Sequence, residues 1–129
     1  MTVYVCLDDR DGMLFNRRRQ SRDARVLEDI RDSAGLLTID PFSEKLIAEA
    51  EIPYVLAEET LGEDIHFFLE DRPASQVLSA ASRLVIYRWN RHYPADVRFD
   101  GDLSAFTRQS TEEFPGKSHE TITKEVYVR

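Results

Sequence analysis

Cysteine, histidine and tryptophan are all scarce in this chain: one Cys, three His and one Trp in 129 residues. A lone cysteine, Cys6, excludes an intramolecular disulfide, and such a chain is expected in the reducing cytosol. The histidines, His66, His92 and His119, are widely separated and carry no metal-binding motif, so no metal is expected. Nowhere do about 18 apolar residues run together, which excludes a membrane-spanning helix. No basic segment leads into a long apolar stretch at the start, so no signal peptide is expected. Basic residues are outnumbered 17 to 24, for a net charge of -7. Charge of this sign repels nucleic acid and anionic membrane, and neither is an expected partner. Internal repeats and low-complexity tracts are also missing.

What is present is enough for one globular domain over residues 1–129. Hydrophobic residues make up 42% and charged residues 32%, a balance that opposes disorder. A domain of this size buries roughly two-thirds of the surface its unfolded chain exposes.

The pattern along the chain alternates strands and helices. Val3 to Leu7 is a continuous apolar run, as in a strand covered on both faces. Asp8-Asp9-Arg10-Asp11-Gly12 reads as a turn, and Met13-Leu14-Phe15 as a short strand or ordered loop. Ser21 is placed to cap a helix whose Val26, Leu27, Ile30 and Ala34 share one face, with Gly35 as its stop. Leu36–Ile39 reads as a strand, and Asp40-Pro41 opens a second helix carrying Leu46 and Ile47. Strands follow at Ile52–Leu56 and Ile65–Leu69, then a short helix after Pro73 and a long strand at Arg83–Trp89. Val97–Phe99, a strand near Phe106–Gln109 and an alternating tail, Thr121–Val128, close the chain. This order predicts an α/β fold. It is a single-domain three-layer sandwich with a mixed, mainly parallel sheet and antiparallel C-terminal strands.

The second half carries local echoes of a known family. Ala81-Ser82-Arg83-Leu84 leads from a short helix into a strand. Asp96-Val97-Arg98-Phe99 sets an acid and a Phe on the next strand, and the chain closes on Glu125-Val126-Tyr127-Val128-Arg129. Residues 70–129 thus resemble dihydrofolate reductases, which implies that fold. The same resemblance implies two adjacent glycines before the short helix, where cofactor phosphate meets bare backbone. Leu69-Glu70-Asp71-Arg72 stands there instead, and carboxylates repel phosphate. The family's Gly-Arg-x-Thr segment is matched only by Asn16-Arg17-Arg18-Arg19, without glycine or threonine. The early family helix with its substrate carboxylate has no room between the first strand and Ser21. A divergent, non-reductase member without a cofactor is therefore the expectation, and a nicotinamide-dependent oxidoreductase the alternative. Phe15-Asn16-Arg17-Arg18-Arg19-Gln20-Ser21-Arg22-Asp23 also resembles chains named ribonuclease Z. Such an enzyme needs a His-x-His-x-Asp-His cluster that this chain lacks.

The densest chemical feature is that same segment, with Arg17, Arg18, Arg19 and Arg22 beside Asn16 at the expected start of a helix. Helix N-termini attract anions, and guanidinium forks grip phosphate in two places. The segment is the expected site for a phosphate-bearing small molecule or nucleotide. The competing reading is a solvated helix start with Arg19–Asp23, Arg25–Asp29 and Glu28–Arg31 pairs one turn apart. Trp89, Asn90 and Arg91 form a second aromatic and basic cluster at a strand end, where α/β sheets hold ligands. The simpler reading of the cluster is a turn whose Trp and Tyr cap the core, with Asn90 bonding its own backbone. Thr111 to Ser118 superficially resembles a phosphate loop but lacks the first glycine and the following helix. His119 reads as an exposed loop histidine, and Cys6 as a small core residue. A Ser–His–Asp arrangement cannot be argued from sequence, because its members meet only in space. A third possibility is a homo-oligomer, most simply a homodimer, in which Phe114, Tyr127 and Val128 pair along an open sheet edge.

Overall fold

A computed structural model describes residues 1–129. Ten strands and three α-helices run in the order β1 (Thr2–Leu7), β2 (Gly12–Phe15), β3 (Arg18–Arg19), α1 (Ala24–Ala34), β4 (Leu37–Ile39), α2 (Glu44–Glu49), β5 (Tyr54–Leu56), β6 (His66–Leu69), α3 (Ala74–Leu78), β7 (Arg83–Arg88), β8 (Val97–Arg98), β9 (Thr107–Phe114) and β10 (Ile122–Val128). The main sheet has the order β5-β4-β6-β1-β7-β10-β9, and a small one has β3-β2-β8. The pairs from β5 through β7 are parallel, while β10 joins β7, and β9 joins β10, antiparallel. No helix is long and apolar enough to cross a membrane.

Alternation along β1 explains the three layers. Tyr4 enters one core with Val26, Leu27 and Ile30 of α1 and Ile47 of α2. Val3, Val5 and Leu7 point to the other face and pack with Val77 and Leu78 of α3. Each fully buried aliphatic or aromatic side chain of this kind contributes roughly 1.5–3 kcal/mol. The single-domain α/β sandwich with antiparallel C-terminal strands is therefore the fold.

Local chemistry differs from the sequence reading at four places. The helix cap is Asp23, whose side chain accepts from the Arg25 N–H; it is not Ser21. The arginine run does not open that helix. Asn16 and Arg17, at φ 53° and 61°, form the two-residue turn of the β2–β3 hairpin. Positive φ at both turn residues matches the strand twist. The helix-surface ion pairs do not form, because other partners win. Asp29 takes the Tyr87 hydroxyl at 2.6 Å and Lys124 at 2.8 Å, Arg25 lies over the Phe114 ring, and Arg31 reaches its neighbour Asp32. Finally, Tyr127 and Val128 are not at an edge. β10 is sandwiched between β7 and β9, and the edges belong to β5 and β9.

Candidate active site at the carboxyl ends of the parallel strands

Strands β1, β6 and β7 end on the same side of the sheet, where open α/β sheets hold their ligands. A narrow cavity lies there, reached by Cys6 of β1, Leu69 and Glu70 at the end of β6, and Trp89 after β7. Asp23 and Val26 of the α1 start wall it, and the hairpin closes it with Met13, Arg19 and Gln20. Only about 20 Å³ is open to the centre of a water molecule, room for one or two waters.

Two carboxylates meet the cavity. Glu70 accepts a two-point ion pair from Arg19, at 2.9 Å to Nε and 2.8 Å to Nη2, and a 2.7 Å bond from the Ser43 hydroxyl. The Arg19 guanidinium also lies over the Phe42 ring. Next to Glu70, burial together with the Asp40 and Glu70 carboxylates raises the Asp71 carboxyl above its ordinary range. This corner is negative and self-neutralised by Arg19. Arg72 is turned away to Asp40, which it grips at 2.7 and 3.1 Å.

The second carboxylate, Asp23, is 1% exposed. It collects the backbone N–H groups of Arg25, Lys117 and Ser118 at 2.7–3.0 Å. The His119 ring Nδ1 stands 3.0 Å from its Oδ2. Burial alone would raise this carboxyl, but the bonds from His119, Lys117, Ser118 and Arg25 outweigh it and hold the pKa at about 2. An ionised carboxylate only accepts, so Nδ1 carries a proton. Nε2 meets the Ser21 hydroxyl at 2.9 Å and the Tyr93 hydroxyl at 3.2 Å. Trp89 stacks on the imidazole with centroids 4.6 Å apart. Gly116 permits this approach, since a Cβ there would lie 2.6 Å from Asp23 Oδ2 and 2.8 Å from the His119 carbonyl.

His119 is thus buried, not an exposed loop residue. The strand–turn–strand return of β9 into β10 drives it behind Asp23. Between the first strand and Ser21 there is no helix, in line with the reading that the stretch has no room for one. The hairpin fills that stretch, and α1 follows it with a buried carboxylate at its cap.

The arginines separate. Arg17 and Arg18 are exposed on the hairpin without a carboxylate partner. Arg19 is locked to Glu70, and Arg22 makes a long, exposed 3.4 Å contact with Glu49. Arg19, Arg22 and Trp89 line the same cavity. Asn90 donates to the Thr121 carbonyl and the Thr123 hydroxyl, and with Arg91 and Trp89 it borders a separate recess. Burial raises the Cys6 thiol strongly, which keeps it protonated and unreactive. Asp8 is saturated by donors from Arg10, Gly12, Gln20 and Tyr93, consistent with a turn. The residues missed in sequence are Ser21, Asp23 and His119. His119 lies 98 positions from Ser21, and the only local signal was the Asp preceding α1.

No protein-family profile matches the chain, and no curated protein matches it in sequence. Among solved structures it is similar to a dihydrofolate reductase from Enterococcus faecalis complexed with NADP(H) and RAB-propyl. The TM-score is 0.70 at 9% identity, over 99% of this chain and 95% of that one. The chain has the dihydrofolate reductase fold. At the end of β6, where the resemblance implies bare backbone beside phosphate, stand Glu70, which is paired with Arg19, and Asp71.

Proposed function

We propose that this protein is a cytoplasmic binding module built on the dihydrofolate reductase fold and not a nicotinamide-dependent reductase. Its ligand is a small phosphate-bearing molecule. Arg17 and Arg18 supply the primary charge from the hairpin, where Asn16 shapes the turn, and Arg22 and Arg91 add cations nearer the strand ends. Trp89 and Asn90 frame the second recess. The observation that carries this reading is the division of labour among the arginines. Arg19 is spent on neutralising Glu70 inside the cavity, while Arg17 and Arg18 stay exposed and unpaired in a chain of net charge -7. Free guanidinium forks on an acidic protein favour a small anion over a polyanion.

The double variant R17A/R18A should elute earlier than wild type from a phosphate matrix at low salt. Unchanged retention would remove the anion reading. NADPH should cause no thermal shift; a ligand at about a hundred times its Kd stabilises by roughly 2.7 kcal/mol. A shift of that size would restore the reductase reading.

Self-association is supported by a different observation. Edge strand β5 exposes Val55 and Leu56, at 47% and 48%, beside unpaired backbone groups that can pair with a second copy. A solution mass of one chain at high concentration would eliminate it.

A further inference from the structure

We propose that Ser21, His119 and Asp23 form a nucleophilic triad, and that the protein transfers or hydrolyses small apolar acyl groups carried on an ester. The geometry is that of a serine nucleophile with its base and orienting acid: Ser21 Oγ to His119 Nε2 is 2.9 Å and His119 Nδ1 to Asp23 Oδ2 is 3.0 Å. These are hydrogen-bond distances at which a nucleophile and its base work, and such a constellation is recognised by geometry and roles and not by position in the chain.

Capping does not account for it. The helix start is satisfied by the Asp23 bond to the Arg25 N–H, and the 116–119 turn by the bonds from Lys117 and Ser118. Neither needs an imidazole. The imidazole is nonetheless aligned by Asp23, clamped by Trp89, and left with one nitrogen facing a hydroxyl at the cavity. Gradation of exposure fits the roles. The His119 and Asp23 side chains are 2% and 0% exposed, whereas Ser21 is partly open and lines the cavity. Its apolar walls, Val26, Leu27 and Trp89, and its small free volume select a short acyl chain and leave the alcohol portion outside. Arg22 lines the same space, and its distant carboxylate contact leaves it free to donate to an oxyanion.

The steps balance without a cofactor. Ser21 Oγ attacks the acyl carbonyl carbon while its proton passes to His119 Nε2. The tetrahedral oxyanion collapses, the bond to the alcohol oxygen breaks, and Nε2 returns the proton to that oxygen. Water, deprotonated by the same Nε2, then attacks the Ser21 ester, releases the carboxylic acid and restores the hydroxyl.

The test uses the full chain with a fluorophosphonate probe, read by peptide mass mapping, and p-nitrophenyl acetate as reporter. A single phosphonyl adduct on Ser21, with loss of fluoride, is expected. S21A should lose the adduct and its part of the esterase rate while keeping wild-type thermal stability. H119Q, whose amide N–H can still donate to Asp23 but which has no base, should label at least about a hundredfold more slowly. An unmodified Ser21, an esterase rate equal in wild type and S21A, or equal labelling of H119Q would each overturn the proposal. S21A retained normally on the phosphate matrix separates this outcome from that of the anion reading.

Discussion

Asp23 and Glu70 reach the same cavity from different elements, the start of α1 and the end of β6, and are held in opposite ways. Glu70 meets a full countercharge, Arg19, with one hydroxyl in support. Asp23 meets three backbone N–H groups and a ring N–H of His119. An ion pair cancels its own field and leaves nothing for chemistry. A carboxylate held by dipoles remains an anion, and here its field falls on a histidine. One wall of the cavity is electrostatically closed and the other is poised.

The largest effect should follow removal of the second arrangement. D23A strands three N–H groups and the His119 donor in a buried site, at a cost of about 4 kcal/mol. Urea unfolding measures this directly; a loss below about 1 kcal/mol would mean that the hub is not structural. R19A leaves Glu70 to Ser43 alone. Arg19 is part-exposed, so water repairs some of the damage and the loss should be about 2 kcal/mol. The double variant R19M/E70Q should recover most of it, because no unpaired charge then remains. A double variant as weak as R19A would show that the ion pair adds net stability.

Acid should act on the Asp23 wall. Its folded pKa, about 2, lies below the ordinary 3.8, so ionisation favours the folded state. That contribution is complete above pH 4 and disappears as pH falls through 2. One pKa unit corresponds to about 1.4 kcal/mol, which makes the loss about 2 kcal/mol. Unfolding free energies measured from pH 5 to 2 should fall more steeply in wild type than in D23N; parallel curves would assign the acid sensitivity elsewhere.

The contrast between the two walls was half legible in the sequence. Periodicity and punctuation located the layers: the apolar run at Val3–Leu7, Gly35 as a helix stop, and Pro73 before α3 all carry local signals. Glu70 was legible because a resemblance assigned its position a glycine. Its partner was not, since Arg19 sits in a run of identical side chains, and only the hairpin turn at Asn16-Arg17 decides which one faces inward. The Asp23 cluster was invisible for a different reason. Ser21 and His119 are 98 positions apart, and the return of β9 into β10 alone brings them together. Even the helix start was misassigned to Ser21, because capping chemistry does not distinguish a serine from an aspartate two residues on.

The smallest effects should come from the hairpin tip, where stability and binding are expected to move in opposite directions. Arg18 is exposed and without a partner, so R18A should change unfolding free energy by no more than about 0.5 kcal/mol. Arg17 is held at φ 61°, a conformation that suits glycine and strains an arginine. R17G would create an Asn-Gly turn, the pair that two-residue hairpins favour. It should therefore stabilise the fold by up to about 1 kcal/mol while weakening retention on phosphate. On the proposed function, the strain at Arg17 is retained for what its guanidinium touches outside the molecule. If R17G stabilised the protein and left phosphate retention intact, the hairpin would be an ordinary turn. The Asp23 wall would then be the only part of this end of the sheet with a claim to function.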